Sequence, residues 1–595
     1  MPLLMAGMFL LMFGAARQNS ATVDETNYLG VGYTFWNGAP FRLLVDHPPL
    51  IAWLASAPVA GKDLQMSEQA RGLWEGRLSC SWTRPWSGPI LSIRDFVPPG
   101  CQPIRQVFVP PHDMLIEWQT TTTYPIHNWY LWPAAEGQLF GKLFVFGSGN
   151  DGERMMLAGR TVMIILTLLA GLVAGGWAWR LGGATAAVLA VTLWSFNIIA
   201  LAYGSLILTD VGATLALPAA IWAFAEYMHQ PTRTRAVALG LAVATAVLMK
   251  FSAVLLGPIF VVLTAFYYWR NKPSFKLSQL QTLCFAGLSG YGLILLMYWP
   301  NLTPPPPLAE PMAQVLQVPD WFQTVRGVLV PGDFFKGLAL AVGHASGGHE
   351  AYLAGEWRET GWWYYFPVAY LLKTPLPLIG LTGIGLILVI RQRKSISFAQ
   401  AVPWIAGGIY LLFAVLSSIN IGVRHLLPMY VLLAVGTAQQ LAQAGRRLQL
   451  TAWILCTWLA IEAVVAYPHY IPYFNQLTGG TANGYRYLLD SNYDWGQDAK
   501  RLKAFLTERG IEHIYLDYFG TQTEIEHLHI RNTRVNAEQA KQIKQGWLVV
   551  SASQLMRPEW KWLCESRPPT TRVANTLFVY RLPDASGIAS SNGAR

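Results

Sequence analysis

Residues 161–179, TVMIILTLLAGLVAGGWAW, contain no charged side chain and indicate the class of this protein. Their length is close to the ~20 apolar residues that a helix needs to cross a bilayer. Comparable apolar runs recur as far as Tyr467, too many to be the cores of separate water-soluble domains. The 595-residue chain is 53% hydrophobic and only 13% charged, about half the charged share of a soluble protein. The sequence therefore predicts a polytopic membrane protein.

The apolar runs predict about 11 membrane-spanning helices. We expect them at 2–16, 159–179, 184–203, 206–228, 236–250, 253–269, 279–299, 374–390, 402–418, 425–443 and 449–467. The first of these is short, so residues 1–16 are either a first helix or a cleaved signal peptide.

The net charge of +10 is concentrated in five short connections that hold basic residues and no acidic ones. These basic residues are Arg180; Arg233 and Arg235; Arg270, Lys272 and Lys276; Arg391, Arg393 and Lys394; and Arg446 and Arg447. The five connections fall on alternate loops, which the positive-inside rule assigns to the cytoplasm. The basic surplus is thus a topology signal, and we predict no nucleic-acid partner.

The opposite face then carries the long segments, and the chain divides into four parts. These are 1–16, a first helix or signal; 17–158, a large outer loop; 159–467, a helical bundle with outer loop 300–373; and 468–595, an extracytoplasmic tail. In the tail we expect a helix at 496–509 and strands at 513–518, 547–551 and 577–581. The predicted fold is mainly α, with a small C-terminal α/β domain.

Ionisable residues beside the spans are the first candidates for chemistry, because charge near a bilayer is expensive. On the predicted outer face these are Asp24, Glu25, Asp46, His47, Asp210, Lys250, Lys373, Arg424 and His425. Carboxylates can transfer protons, and cations can bind a phosphate. Segments that are distant in sequence would meet at one membrane surface.

Each candidate also has a structural interpretation. Glu25 fits a capping box that opens at Thr22, and the stretch DHPP at 46–49 fits a turn. Asp210 begins a span, where a carboxylate favours the helix dipole. The cations that can instead extend to the interface are Lys250, Lys373 and Arg424. The joint placement of all these residues on one face favours a shared site.

Cofactors have little support in the sequence. The tail motif DSNYDWGQD at 490–498 allows a metal cluster, but we prefer Asp494 as the cap of the following helix. No Cys-x-x-Cys or His/Cys cluster indicates zinc. Cys80 and Cys101 share the first outer loop and are candidates for a disulfide. We predict no cofactor and leave a divalent metal open.

The stretches DETNYL at 24–29 and DHPPL at 46–50 resemble the first outer loop of the GT-C glycosyltransferases. More narrowly, they resemble the family 39 protein mannosyltransferases and their bacterial phospholipid-carrier-dependent relatives, including the lipid A aminoarabinose transferases. Further matching motifs follow in order: GSLILTD (204–210), MKFS (249–252), GWWYYF (361–366), KTP (373–375), GVRHLLP (422–428), YFN (473–475) and GYRYLLDSNYDWGQD (484–498). The resemblance covers nearly the whole chain.

This resemblance implies a GT-C fold and sugar transfer from a polyprenyl-phosphate carrier, on the outer face of a bacterial inner or plasma membrane. It assigns proton abstraction from the acceptor to Asp24 and the shaping of the pocket to Glu25. Segment 60–140 does not look like the usual first loop of the family. The acceptor, whether protein, lipid A or glycan, and the sugar stay open, as does the oligomeric state.

The chemistry of the candidate residues is consistent with such a reaction. A polyprenyl phosphate leaves as a stable anion, so the second carboxylate that most glycosidases use as an acid is dispensable. One base and several cations for the phosphate are sufficient, and a single displacement inverts the anomeric carbon. The alternatives are a transporter or flippase of a lipid-linked substrate and a non-catalytic scaffold on the same fold. Transport favours mid-span charges and interrupted helices in matched halves, which we do not find.

Overall fold

The computed structural model describes residues 1–38, 41–44, 46–75, 132–272, 277–299 and 331–582. Within these ranges the chain is mainly helical, as the sequence predicts. The helices of ten or more residues are α1 (Pro2–Gln18), α2 (Glu25–Trp36), α3 (Trp132–Val145), α4 (Gly152–Ser195), α5 (Thr209–His229), α6 (Arg233–Met249), α7 (Leu256–Asn271), α8 (Leu277–Tyr298), α9 (Gly332–Gly347), α10 (Leu376–Arg391), α11 (Phe398–Leu416), α12 (Leu427–Ala442), α13 (Arg446–Val465) and α14 (Ala499–Glu508). The candidate disulfide of Cys80 and Cys101 lies outside the described residues.

Six helical segments of the described chain are long and apolar enough to cross a membrane, or seven if one bent pair is a single span. They are Gly152–Ser195, Thr209–His229, Phe251–Asn271, Gln281–Tyr298, Phe398–Leu416 and Arg446–Val465, with Tyr365–Lys373 and Leu376–Arg391 as the bent pair. Many large apolar side chains on these helices are exposed, for example Leu288, Leu416 and Val465. A water-soluble protein would bury such a surface, so these helices present it to lipid.

Two breaks modify the predicted spans. The expected spans 159–179 and 184–203 begin as one helix, α4, which is kinked where Gly183 adopts φ 71°. The short helix Ile198–Tyr203 then completes the second span. Between Tyr365–Lys373 and α10 the chain bends by 118° at Thr374 and Pro375. The count of about 11 spans stays a prediction.

The predicted orientation can be tested by thiol labelling. In a variant whose five native cysteines are replaced, single cysteines at the exposed positions Gln230, Arg393 and Arg447 should react only with reagents that enter the cytoplasm. A cysteine at the exposed Glu508 should react with an impermeant reagent added outside. Labelling of Glu508→Cys from the cytoplasm alone would contradict the orientation and the outward placement of the candidate site.

Helix α2, which begins at Glu25, the second residue of the acidic pair, is held by close backbone contact with α3. A Cβ atom at Gly141 would lie 2.3 Å from the carbonyl oxygen of Thr26, and one at Gly30 would lie 2.8 Å from the Cα atom of Gly141. Only glycine permits this approach. The start of α2 is therefore fixed against the neighbouring helix and cannot shift freely.

The C-terminal domain is built on a five-stranded sheet, which agrees with the predicted α/β domain. Its strands are β3 (Ile514–Asp517), β4 (Asn532–Arg534), β5 (Gly546–Ser551), β6 (Thr571–Val573) and β7 (Leu577–Leu582); a separate hairpin, β1 (Ala351–Leu353) and β2 (Glu356–Arg358), precedes them in the chain. The strand order is β4-β3-β5-β7-β6. Strand β3 runs parallel to β4 and β5, and strand β7 runs antiparallel to β5 and β6. Helix α14 packs Leu502 and Leu506 onto this sheet.

Asp494 does not cap α14, contrary to our expectation. Helix α14 begins at Ala499, and the carboxylate of Asp494 instead accepts a hydrogen bond of 2.9 Å from the backbone N–H of Ser553. That bond satisfies a backbone N–H in the first turn of the short helix Ala552–Leu555. Burial raises the pKa of Asp494 to about 7.

This raised pKa predicts a pH-dependent stability. An unfolded Asp titrates near pH ~4, so the folded protein holds a proton that the unfolded chain releases between pH ~4 and ~7. The contribution is complete below pH ~4 and is lost as pH rises to ~7. Asp494→Asn should therefore raise the apparent Tm at pH 8 and leave it nearly unchanged at pH 4. An equal change at both pH values in thermal-shift measurements would contradict a proton on Asp494.

Candidate active site

Asp24 is positioned by the loop that connects α1 to α2. It is the N-terminal cap residue of α2, and within the described residues its side chain makes no capping hydrogen bond. Its carboxylate is partly exposed, at 28% of the side chain, and lies 3.5 Å from Nη1 of Arg424. Asp24 is thus a partly exposed carboxyl group that is held beside a buried cation.

Arg424 connects two acidic segments. Its Nη1 atom also lies 3.4 Å from Oδ2 of Asp210, at the start of α5. The guanidinium is only 8% exposed, and it lies in a 3-10 turn, Val423–Leu426, directly before α12. Asp210 follows Asp24 by 186 residues, and Arg424 follows it by 400. The two aspartates are therefore distant in sequence but share one guanidinium.

Asp210 also binds the second cation of the site. Its Oδ1 atom lies 2.5 Å from Nζ of Lys250, which follows α6. Nδ1 of His425 lies 3.5 Å from the same ammonium and 3.6 Å from the same carboxylate oxygen. One carboxylate thus holds Lys250, Arg424 and His425 together.

Asp46 and His47 form a neighbouring pair. Nδ1 of His47 lies 2.9 Å from Oδ2 of Asp46. Burial opposes the charge on both groups, but their attraction lowers the pKa of Asp46 and raises the pKa of His47. The ring of His47 packs edge-on against Tyr28, with centroids 5.4 Å apart. The Tyr28 hydroxyl shares a hydrogen bond with the Thr209 side chain and feels the charges of Asp24 and Arg424.

Glu25 has a different environment from Asp24. It is fully buried and bound to Arg160 through two bonds, Nε to Oε1 at 2.8 Å and Nη2 to Oε2 at 2.6 Å. The backbone N–H of Ile207 donates to Oε1, and the N–H and hydroxyl of Thr22 both donate to Oε2. Burial alone would raise the pKa of Glu25, but Arg160 and these donors hold it below its ordinary value.

The capping box expected for Glu25 is therefore only half formed. The Glu25 carboxylate does reach back to the N–H of Thr22, but the Thr22 hydroxyl donates to that carboxylate and does not cap the helix. The larger partner is Arg160, whose remaining donors bind the carbonyl oxygens of Ala16, Asn19 and Ser20. The Glu25–Arg160 pair thus fixes the loop that carries Asp24. A substrate-binding role for Glu25 stays a prediction.

Lys373 lies apart from the other cations. Its fully buried ammonium donates to the carbonyl oxygens of Ile471 at 2.7 Å and Asn492 at 2.5 Å, and it lies 4.5 Å from the ring centroid of Phe474. Within the described chain the structure does not bring it into contact with Asp24, Asp210 or Arg424. Its partners favour a structural role, and phosphate binding by Lys373 stays a prediction.

Sequence reasoning missed three residues that border the site. Arg160 could have been found as a charge inside an apolar run. Trp495 and Asp490 lie in the tail motif, which we interpreted only locally. The ring centroid of Trp495 lies 4.2 Å from Cζ of Arg424. Asp490 adopts a positive φ of 53°, which is uncommon for a residue other than glycine. Its carboxyl group interacts electrostatically with Arg424 and Asp24.

The described residues contain no group of three or more His, Cys, Asp or Glu side chains placed to hold a metal ion. The nearest approach to such a group is the set of acids and histidines around Lys250 and Arg424. There Arg424 lies between Asp24 and Asp210, and Lys250 binds Asp210. Among the described residues, this arrangement suits an anion better than a metal cation.

The chain matches no family model and no curated protein. Among solved structures it is similar to ArnT from Cupriavidus metallidurans bound to undecaprenyl phosphate, with 12% identity, a TM-score of 0.47 and 97% of each chain covered. It is also similar to the apo state of the same protein, with 12% identity, a TM-score of 0.45 and the same coverage.

Proposed function

We propose that this protein is a membrane glycosyltransferase of GT-C type that transfers a sugar from a polyprenyl-phosphate carrier to an acceptor on the outer face. One observation carries the proposal. An accessible carboxylate, Asp24, lies beside a buried cluster in which Lys250, Arg424 and His425 converge on Asp210. A base next to a set of cations is what transfer from a lipid phosphate requires.

The chemistry balances with these residues alone. The acceptor hydroxyl attacks the anomeric carbon, its proton passes to Asp24, and the bond between that carbon and the phosphate oxygen breaks. The polyprenyl phosphate keeps the electron pair, and Arg424 and Lys250 stabilise the charge that grows on it. One displacement inverts the anomeric carbon. No second acid is needed, because the leaving phosphate is already a stable anion.

Unpaired donors support an anionic ligand at the cluster. Within the described part of the chain, the buried Nε of Arg424 and Nε2 of His425 have no hydrogen-bond partner. Leaving a buried donor unsatisfied costs about 1–3 kcal/mol, so a native protein usually fills such a position with a ligand or water. A phosphate group has oxygen atoms enough to accept from both side chains.

Asp24 is a better candidate for the base than Glu25, because its carboxylate is accessible to a substrate. The carboxylate of Glu25 is fully buried and already accepts five hydrogen bonds, so it has no free position for a substrate proton. The carboxylate of Asp24 is partly exposed and lies 3.5 Å from Nη1 of Arg424. A substrate hydroxyl can therefore reach Asp24.

Replacement of Arg424 by lysine tests the phosphate contact. Lysine keeps the charge but loses the planar, multidentate guanidinium. We expect Arg424→Lys to lower kcat/KM for the donor about tenfold, the value of one charge-assisted hydrogen bond. The control is Arg358→Lys, an exposed arginine of the outer hairpin, which should keep the parental rate. Full activity of Arg424→Lys with unaltered donor affinity would remove Arg424 from the site.

Transport of a lipid-linked substrate is the second candidate function, and the 118° break between Tyr365–Lys373 and α10 favours it. Broken helices form the substrate sites of many transporters, but usually as a pair in two matched halves. Only one such break lies in the described residues. Glycan and lipid analysis of cells that lack the protein would separate the two functions and identify the sugar and its acceptor.

A further inference from the structure

The segment 490–497 of the C-terminal domain binds the turn that carries Arg424. The hydroxyl of Ser491 donates to the carbonyl oxygen of Ile421 at 2.6 Å, and the backbone N–H of Val423 donates to Oδ1 of Asn492 at 2.9 Å. A Cβ atom at Gly422 would lie 2.1 Å from Oγ of Ser491, so the close approach requires glycine there. The position of Arg424 thus depends on the tail of the chain.

The same segment binds the loop that carries Asp24. The backbone N–H of Val23 donates to the carbonyl oxygen of Trp495 at 3.3 Å, and that of Ser20 donates to the carbonyl oxygen of Gln497 at 2.9 Å. The N–H of Trp495 in turn donates to Oε1 of Gln497 at 2.7 Å. Both halves of the candidate site are therefore held by one short stretch of the outer domain.

The indole of Trp495 lies directly on the guanidinium of Arg424. Trp495 is 2% exposed, and its ring centroid is 4.2 Å from Cζ of the arginine. The indole covers one face of the guanidinium, while Nη1 lies within 3.5 Å of Asp24 and Asp210. A tryptophan face attracts a cation more strongly than other aromatic rings do, most of all where water is excluded.

We propose that Trp495 is a positioning residue for the donor phosphate and acts through Arg424. Contact with the indole holds the guanidinium so that Nη1 lies beside Asp24 and Asp210, while its Nε, unpaired among the residues that the structure describes, remains for the phosphate of the proposed function. This inference rests on that function. It makes the C-terminal domain a part of the donor site, since the indole comes from the tail and the guanidinium from the membrane bundle.

Two substitutions of Trp495 should weaken donor binding to different extents. Trp495→Leu removes the aromatic face, and the guanidinium gains freedom of rotation that binding must then remove. We expect the Kd for undecaprenyl phosphate in nanodiscs to rise about tenfold, with kcat for the proposed transfer changed by less than about threefold. Trp495→Phe keeps a weaker face and should show an intermediate Kd.

The matched control is Trp560→Leu. Trp560 is also 2% exposed in the same domain, but its indole N–H donates to Asp517 and its ring packs beside Trp562. Its loss should lower stability without changing the Kd of the folded fraction. In an Arg424→Lys background, Trp495→Leu should have little further effect on the Kd, since coupled residues are not additive.

The outcomes separate the inference from the function on which it rests. Parental donor affinity in Trp495→Leu, together with weakened binding in Arg424→Lys, would overturn the positioning role alone. Parental affinity in Arg424→Lys would contradict the phosphate site itself. An equal rise of Kd in Trp560→Leu and Trp495→Leu would show a general effect of domain stability and would also overturn the role of Trp495.

Discussion

Asp24→Asn is expected to lower the rate of sugar transfer by about 10²–10⁴-fold, the usual contribution of a positioned general base. Asparagine keeps the size of the side chain but cannot accept the proton of the acceptor. Asp24 is partly exposed, so its neutralisation leaves little uncompensated charge. Arg424 keeps its second carboxylate, Asp210. We therefore expect the variant to fold and to bind undecaprenyl phosphate with parental affinity.

The control for this variant is Asp63→Asn, an exposed acid of the same outer segment. It should transfer sugar at the parental rate. Rates are compared in nanodiscs with a labelled polyprenyl-phosphate sugar, and membranes from cells that lack the protein serve as the acceptor pool. A well-folded Asp24→Asn protein that transfers at the parental rate would show that Asp24 is not the base.

Glu25→Gln should mainly lower the stability of the protein, whereas Asp24→Asn should mainly lower its activity. Glu25 and Arg160 are both almost completely buried and form two charged hydrogen bonds. Removal of one partner leaves a buried charge without compensation, which costs about 3–5 kcal/mol. We expect the apparent Tm in detergent to fall by about 2–4 °C, because a chain of this length unfolds with a large entropy change. Activity should fall with the folded fraction, because the loop of Asp24 is held by the same arginine.

Glu462→Gln provides the comparison. Glu462 is also buried, but its carboxylate accepts from two neutral donors, the hydroxyl of Tyr473 at 2.6 Å and the amide of Gln476 at 2.7 Å. Both bonds end at Oε1, so the amide oxygen of a glutamine can still accept them, and the expected loss is at most about 1 kcal/mol. Similar Tm values for Glu25→Gln and Glu462→Gln would contradict the view that the Arg160 ion pair holds the loop.

Much of the fold is predictable because apolar length and periodicity are local properties. The helix predicted at 206–228 is Thr209–His229, and the strand predicted at 577–581 is Leu577–Leu582. Strand β4 and strand β6, each of three residues, were not predicted. Such short strands have too few residues for an alternating pattern, and only their pairing with neighbours defines them.

The site is only partly predictable, because its decisive contacts join distant segments. The sequence drew attention to the acid pair, whose role stays a prediction, but it could not show that Arg160, 135 residues later, binds Glu25. Lys373 has the same apparent character as Lys250 in the sequence, namely a cation at the end of a span. The structure separates them, because Lys250 binds a carboxylate and Lys373 binds two backbone carbonyl groups.

The tail motif at 490–498 also makes contacts that a local interpretation of the sequence does not predict. Within it Asp494 was interpreted as a helix cap, since capping is a local effect. The contact of Trp495 with Arg424 depends on how the C-terminal domain docks on the membrane bundle. A resemblance of motifs could indicate that the two stretches matter, but not that they touch.

The fate of the donor tests the central claim most directly. The purified protein is reconstituted in liposomes with a polyprenyl-phosphate sugar that is labelled in the sugar, and with membranes that lack the protein as acceptor. We predict that label leaves the carrier, that free polyprenyl phosphate appears in equal amount, and that the product has the inverted anomeric configuration. Movement of intact donor between leaflets without release of polyprenyl phosphate would contradict a glycosyltransferase and indicate a transporter.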